Sequence, residues 1–373
     1  LYLNRVAFVD AQTGRTVWAS RWASSEYAPL ATGAALWSPS GKRVLLRGEG
    51  EWRPWRRRGV GERSDARVSR KGPGWFVFEP DTGRRIPLNV PELGNLRPPF
   101  LLPCGWADED TVALKGPEDV EFLNVETGRR RHCVLPSALR GKGFLTWEVS
   151  QAGGDFWALF VPRRAAQETP LRFLRFSPDL GEAELVVSSS AALAPHLRLI
   201  SPDAGWAVVA DGGGKGGRVL LVPVRAGGPG QVLGEGAEGR GIYPFQCVFR
   251  TNPFRLAGCV GSQCIVINLQ DMSRRAFDLT AESVGERVGL QRAEFTPGGR
   301  YAVLLMVRNT RGTWAHFWRV ADVDTGRRWD TGFDMFAGYP LWLDEERLVV
   351  QRWSRAPLVI RYDGAERRPL IGD

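Results

Sequence analysis

The sequence predicts an all-β protein built from repeated four-stranded antiparallel sheets, and three observations support this prediction. A short apolar run, a tight polar turn and a second apolar run recur seven times, at intervals of about 40 to 50 residues apart from a longer first interval. Four later hairpins carry an acidic or amide residue followed by x-x-Thr-Gly-Arg. The chain has 44 glycines, 25 prolines and 15 tryptophans and almost no helical periodicity, which is typical of short strands joined by turns. Because each small repeat can bury its faces only against its neighbours, the pattern favours a β-propeller.

The first hairpin of each repeat is marked by its turn. At Ser38–Gly41, for example, proline presets φ at the first corner and glycine supplies the positive φ that closes the hairpin. The seven turns of this kind lie at residues 37–42, 105–110, 149–154, 200–205, 249–253, 295–300 and 342–346. Seven such hairpins predict seven blades.

The second hairpin of each repeat has a polar turn in which the acidic or amide side chain is expected to accept hydrogen bonds from the turn's own amides. The eight copies are Asp10 to Gly14, Glu79 to Gly83, Asn124 to Gly128, Asp322 to Gly326, and degenerate copies near Pro178, Arg225, Asp271 and Asp363. Eight second hairpins against seven first hairpins leave residues 1–20 as an orphan pair of strands, either half of an eighth blade or a clasp on the ring. The prediction is therefore a single domain over residues 1–373, with seven or eight four-stranded antiparallel blades.

The segments Phe295–Leu305 and Val320–Arg328 resemble the WD-like repeat of Tol-system propellers, and similar sequence patterns cover most of the chain. This resemblance implies a bacterial protein of the periplasm or cell envelope that binds proteins, as a scaffold, subunit or accessory protein of a larger complex. A cytoplasmic location is the alternative.

One segment, Val9–Trp18, is also similar to the tryptophan-docking repeat of quinoprotein dehydrogenases and of outer-membrane assembly propellers. Enzymes of that group that bind a quinone carry adjacent paired cysteines, and no two cysteines are adjacent in this chain. We therefore expect no quinone, and the sequence predicts no cofactor.

The segment Glu49–Gly74 is the longest connection between predicted strands and holds eight basic residues against four acidic ones. Connections longer than about 12 to 15 residues are uncommon unless they are functional or disordered. Its tryptophans are either partner contacts or anchors that hold the loop against the propeller. The predicted partner-binding residues are Trp52, Arg53, Trp55, Arg56, Arg57, Arg58, Arg63, Arg67 and Arg70.

Arginine and tryptophan together suit an acidic protein surface, which we expect to be the partner. Nucleic acid is disfavoured because the cluster is confined to one loop rather than repeated over several blades. The net charge of +9 also allows contact with an anionic membrane surface or another polyanion, although 45 of the 50 basic residues are arginine, a bias that genome composition can produce. No stretch approaches the roughly 20 apolar residues of a membrane-spanning helix.

Catalytic groups are sparse in the sequence. The three histidines, His132, His196 and His316, lie in different repeats, and there is neither a His-x-x-x-His metal motif nor a Gly-x-Ser-x-Gly nucleophile motif. The sequence therefore predicts no catalytic and no metal-binding residues, and a binding protein rather than an enzyme. The alternatives are a glycan-active hydrolase or lyase with carboxylates at the mouth of the central channel, and a polyanion-binding protein.

The segment Cys259–Cys264 reads as a hairpin with a Gly-Ser turn that places the two cysteines opposite each other. Either a cross-strand disulfide or two reduced neighbours fits this pairing. A disulfide would indicate an oxidising compartment.

Overall fold

The structure is a computed structural model of the chain. It describes residues 3–9, 16–23, 35–48, 74–88, 102–146, 149–163, 167–193, 195–212, 217–225, 230–235, 246–251, 254–260, 263–278, 287–296, 298–310, 313–330, 341–342, 344–352, 355–363 and 365–369. All regular secondary structure in these ranges is β-strand. The chain divides into two compact units: unit 1 comprises residues 1–164 and 173–186, and unit 2 comprises residues 165–172 and 187–373.

The first fifteen strands form four antiparallel sheets, the first of which has only two strands. The first three sheets are β1 (Leu3–Val9) and β2 (Thr16–Ala23); β3 (Ala35–Trp37), β4 (Val44–Gly48), β5 (Gly74–Phe78) and β6 (Arg85–Pro87); and β7 (Leu102–Trp106), β8 (Thr111–Lys115), β9 (Asp119–Asn124) and β10 (Arg130–Val134). The fourth contains β11 (Gly143–Leu145), β12 (Ser150–Ala152), β13 (Asp155–Pro162), β14 (Thr169–Phe176) and β15 (Glu184–Ala192). Strands β11 and β12 pair with successive parts of β13, so together they occupy the place of one strand.

The remaining sixteen strands form four sheets of four. These are β16 (Pro195–Ile200), β17 (Trp206–Asp211), β18 (Arg218–Pro223) and β19 (Gln231–Glu235); β20 (Gln246–Thr251), β21 (Phe254–Val260), β22 (Gln263–Asn268) and β23 (Arg274–Asp278); β24 (Arg287–Phe295), β25 (Tyr301–Thr310), β26 (Thr313–Asp322) and β27 (Arg328–Asp330); and β28 (Leu341–Trp342), β29 (Arg347–Arg352), β30 (Arg355–Arg361) and β31 (Arg367–Pro369).

The order of the strands confirms the predicted repeat. In seven of the eight sheets, strands that follow one another in the chain lie side by side, and each of the seven predicted first-hairpin turns connects the first and second strand positions of one sheet. The chain is an all-β propeller. Residues 1–20, predicted as an orphan pair, contribute to the two-stranded sheet of β1 and β2.

Both faces of the small sheets are buried, which explains the continuous apolar runs in the sequence. In β8 of unit 1, Val112 and Leu114 pack in a cluster with residues of β4 and β5, whereas Ala113 packs with residues of β13. In β22 of unit 2, Ile265 and Cys264 likewise belong to clusters on opposite faces. Successive side chains of a strand point to opposite faces, so a strand buried on both sides needs apolar residues at consecutive positions. Packing between neighbouring sheets thus accounts for the apolar residues at consecutive positions in these strands.

Candidate functional site

The nine predicted partner-binding residues, from Trp52 to Arg70, lie outside the described residues. The structure does describe the strands on either side of them. Strands β4 and β5 stay paired as far as Gly48 opposite Gly74, the last residue of one strand and the first of the next. The residues on either side of the segment 49–73 are therefore cross-strand neighbours.

The turns at Asn124 and Asp322 have the predicted hydrogen bonds from the turn's own amides, whereas the Glu79 carboxylate accepts from the Thr82 hydroxyl and from Arg43. In the Asn124 turn, the amides of Glu126 and Thr127 donate to Asn124 Oδ1 over 3.2 and 2.9 Å, and Gly128 has a φ of +70°. The equivalent atoms of the Asp322 turn make bonds of 2.8 and 3.0 Å. The copy at Asp10 to Gly14 lies outside the described residues.

Unit 1 contains a charge cluster that sequence reasoning missed, here called the Arg43 cluster: Arg43, Glu79, Arg84, Asp110 and Glu126. The Arg43 side chain is 16% exposed and contacts all three carboxylates, with 3.1 Å from Nε to Glu79 Oε1. Arg84 Nη2 lies 2.7 Å from Glu126 Oε2. The hydrogen bond from Arg84, with the positive charges of Arg84 and Arg43, lowers the pKa of the Glu126 carboxyl. Two guanidinium groups face three carboxylates, so this cluster has no surplus of positive charge.

Unit 2 contains a second cluster with the opposite balance, here called the Asp324 cluster: Arg250, Arg255, Arg275 and Asp324. Arg250 and Arg255 are cross-strand partners on β20 and β21. Their Nη1 atoms donate to Asp324 Oδ1 over 3.0 and 2.7 Å. Arg275 Nη2 donates to the backbone carbonyl of Asp324 over 2.7 Å. Three guanidinium groups therefore contact one aspartate, two of them through its carboxylate and one through its backbone carbonyl. The four side chains together have a surplus of two positive charges.

Burial of Arg250 fixes the Asp324 cluster in place. Its side chain is 12% exposed, and its Nε is buried without a hydrogen-bond partner in the described part of the chain. The stem of Arg250 lies against Gly299, whose φ is +69°; a Cβ on this glycine would come within 2.8 Å of Arg250 Cγ. Any larger residue at position 299 would therefore displace Arg250 as well as strain the turn.

An open cavity of about 510 Å³, here called the Asp324 pocket, lies beside the Asp324 cluster. Its lining combines two arginines and one carboxylate with neutral polar groups and an apolar floor. The lining residues are Arg255, Val266, Asn268, Ser273, Arg275 and Asp324. Ser273 is held by Asp271, which accepts hydrogen bonds from the Ser273 hydroxyl and amide, and these bonds lower the pKa of the Asp271 carboxyl.

The described histidines and carboxylates do not form a metal centre. His132 is exposed, with Nδ1 3.3 Å from Asp119 Oδ2. Within the described ranges, no group of three or more histidine, cysteine, aspartate or glutamate side chains could hold a metal ion. The same ranges contain no helix that is long and apolar enough to span a membrane.

The two cysteines of the predicted hairpin lie where the sequence placed them. Strands β21 and β22 pair with Cys259 opposite Cys264 and Val260 opposite Gln263, and both cysteines are buried free thiols. A hydrogen bond between the two thiols, together with burial, raises the pKa of Cys259 well above its ordinary value. Because the thiolate is the species that attacks in disulfide chemistry, the folded pair should oxidise slowly.

The disulfide between Cys259 and Cys264 stays a prediction. We expect it to form when the chain folds in an oxidising buffer, and to add roughly 2 kcal/mol to the free energy of unfolding by the chain-entropy relation for so short a loop. Trypsin should release both cysteines on one peptide, residues 256–274. Mass spectrometry without reduction would show that peptide lighter by two hydrogens. A peptide of full mass that takes up two alkyl groups after oxidative refolding would contradict the prediction.

Comparisons with known proteins agree with the observed architecture. No family model and no curated protein sequence matches the chain. The crystal structure of a eukaryotic initiation factor matches with 12% identity and a TM-score of 0.50, over 98% of this chain and 83% of that one. Dipeptidyl peptidase 4 of Porphyromonas gingivalis matches with 9% identity and a TM-score of 0.58, over 97% of this chain and 56% of that one. The WD40 domain of SCAP from fission yeast has 11% identity and a TM-score of 0.45, over 90% and 83% of the two chains.

The two structures with TM-scores of 0.50 and 0.58 show the fold alone, and that fold is the β-propeller that the repeats predicted. At identities of 9 to 12% they carry no information on catalysis or location.

Proposed function

We propose that this propeller is a non-enzymatic protein-binding module that docks an acidic surface of its partner through the segment 49–74. The supporting observation is the pairing of Gly48 with Gly74, because it fixes both ends of an arginine- and tryptophan-rich segment at one point on a rigid sheet. Binding residues in proteins are concentrated on loops that a rigid scaffold positions in this way.

The composition of the segment determines the kind of partner. Its eight basic and four acidic residues give it a surplus of four positive charges, close to half of the net charge of the chain. Tryptophan and arginine are the residues most enriched at the energetic centres of protein interfaces, whereas a positive surface accelerates association with a negative one. The proposed partner is therefore a protein with an acidic surface, and an anionic membrane surface is a secondary contact.

The proposed setting is a larger assembly of the bacterial cell envelope, in which the propeller is a subunit or accessory protein. The resemblance to Tol-type repeats supports this setting. The paired cysteines support it too, since a disulfide at Cys259 and Cys264 would be stable in the periplasm.

The test is to replace residues 49–73 with a two-residue Asn-Gly turn joining Gly48 to Gly74, which suits a tight hairpin. We expect the variant to fold with the strand content of the parent and to lose capture of its partner by about tenfold or more, equivalent to about 1.4 kcal/mol. Capture would be measured by cross-linking and pull-down from the native envelope fraction, followed by quantitative mass spectrometry.

Two further variants separate the contributions. The triple substitution R56Q/R57Q/R58Q keeps the tryptophans and should weaken capture most at low salt, because screening removes charge attraction at high salt. The double substitution W52A/W55A keeps the charge and should weaken capture at every salt concentration. A replaced-segment variant that folds and still captures every partner would disprove the proposal.

A further inference from the structure

We propose that the Asp324 pocket binds the phosphate monoester group of a small molecule. This inference goes beyond the protein-binding function above and does not depend on the segment 49–74. It rests on four features of unit 2: the charge of the cluster, its unused hydrogen-bond donors, the volume of the pocket and the contrast with the Arg43 cluster.

The charge of the cluster matches a dianion. Among the described residues, Asp324 supplies the only carboxylate that contacts Arg250, Arg255 or Arg275. Arg250 and Arg255 face each other directly across two strands, an arrangement that costs free energy unless an anion lies between them. Asp324 neutralises one of the three positive charges. A phosphate monoester carries about −1.5 to −2 charges at neutral pH and would neutralise the other two.

Hydrogen-bond donors are also in surplus. A guanidinium group has five N–H donors, and within the described structure Arg255 gives one to Asp324 Oδ1 while Arg275 gives one to the Asp324 carbonyl. Both side chains line the pocket, and in our proposal their other N–H groups donate to the ligand. Arginine forks match the oxygen spacing of phosphate and bind it with two parallel hydrogen bonds.

The pocket is larger than a phosphate group requires. Its volume of about 510 Å³ lies within the range of roughly 300 to 1,000 Å³ that small-molecule sites have. Beyond the arginines, the lining offers the Asn268 amide for hydroxyl or amide groups and the Val266 side chain as an apolar floor. The ligand class is accordingly a small polar molecule that carries a phosphate monoester.

The Arg43 cluster of unit 1 provides an internal comparison. Glu126 occupies the same position in its turn as Asp324 does in the Asp322 turn, and each accepts arginines from the preceding sheet. In the Arg43 cluster, however, Glu79 and Asp110 add two more carboxylates. The positive surplus is thus a feature of the Asp324 cluster rather than a general property of this turn.

The test is a titration of the full chain with methyl phosphate near neutral pH, in which binding is measured by calorimetry and by ³¹P NMR. We expect saturable binding of one methyl phosphate per chain. Arg275 is exposed, so R275Q should fold with the thermal stability of the parent yet bind methyl phosphate at least about tenfold more weakly, since it removes one charge-assisted contact. R255Q should weaken binding in the same way. The matched control is R129Q, an exposed arginine in the Asn124 turn of unit 1, which should leave binding unchanged.

Three results would overturn the inference: no saturable binding by the parent chain, equal binding by R275Q and the parent, or tighter binding of succinate than of methyl phosphate. The last result would assign the pocket to dicarboxylates. The chain with residues 49–73 replaced should bind methyl phosphate like the parent. Loss of partner capture with retained phosphate binding would therefore separate this inference from the proposed function, and so would the reverse outcome.

Discussion

Replacing Arg43 with alanine is expected to lower the free energy of unfolding by about 3 kcal/mol. The Arg43 side chain is 16% exposed and contacts Glu79, Asp110 and Glu126, of which Glu79 is 13% exposed. Without Arg43, three carboxylates lose a shared cation. The most buried one, Glu79, keeps Arg84 at 3.6 Å and a hydrogen bond of 2.9 Å from the Thr82 hydroxyl. Removal of one partner from a buried ion pair costs about 3 to 5 kcal/mol; the exposure of Asp110 and Glu126 places this case at the lower end.

The measurement is urea unfolding of the parent and of R43A, detected by far-ultraviolet circular dichroism and tryptophan fluorescence. R131A is the matched control, because Arg131 is half exposed and its one ion pair within the described residues, with Asp179, spans 3.7 Å. Exposed pairs of this kind contribute about 0 to 1 kcal/mol. A loss below about 1 kcal/mol for R43A would show that the sheets of unit 1 do not depend on this cluster.

The architecture could be predicted from the sequence because each repeat encodes it locally. Turn residues such as Pro39 and Gly41 determine a hairpin over a few residues, and the apolar runs on either side mark the strands. The register of Cys259 with Cys264 followed from the length of a single turn and is confirmed. The division of the first strand position of the fourth sheet between β11 and β12, which pair with successive parts of β13, was not predicted.

The charge clusters could not be predicted in the same way. The turns at Asn124 and Asp322 were recognised as structural devices, but the acidic residues two positions later, Glu126 and Asp324, looked like ordinary exposed turn residues. Their arginine partners lie 83 and 74 residues earlier in the chain, on neighbouring sheets. A sequence repeat gives the period of the sheets, whereas the side chains that meet between two sheets depend on how the sheets pack. One signal was available. Arg250 lies in the predicted turn at residues 249–253 and Arg255 lies two residues beyond it, so the hairpin brings together two arginines that an anion would stabilise.

Replacing Asp324 with alanine is expected to lower the free energy of unfolding by about 2 to 3 kcal/mol. The substitution removes hydrogen bonds to charged groups and leaves a largely buried arginine without its ion-pair partner. The substitution removes the carboxylate that Arg250 and Arg255 share. The two guanidinium groups would then repel each other across β20 and β21. Arg250, which is 12% exposed, has little access to water as a replacement partner. The measurement is again urea unfolding, with D179A as the control because Asp179 is 89% exposed.

The same variant connects stability to the proposed ligand. A ligand that binds only the folded chain stabilises it by RT ln(1 + [L]/Kd), so methyl phosphate should raise the unfolding midpoint of the parent. In D324A the positive surplus grows from two to three, and the pocket loses the carboxylate that repels an incoming anion. Methyl phosphate should therefore stabilise D324A more than it stabilises the parent, and it should restore part of the stability that the substitution removes. If D324A unfolds like the parent and gains nothing from methyl phosphate, then packing of the arginine stems holds the cluster together, and the charge surplus has no role in binding.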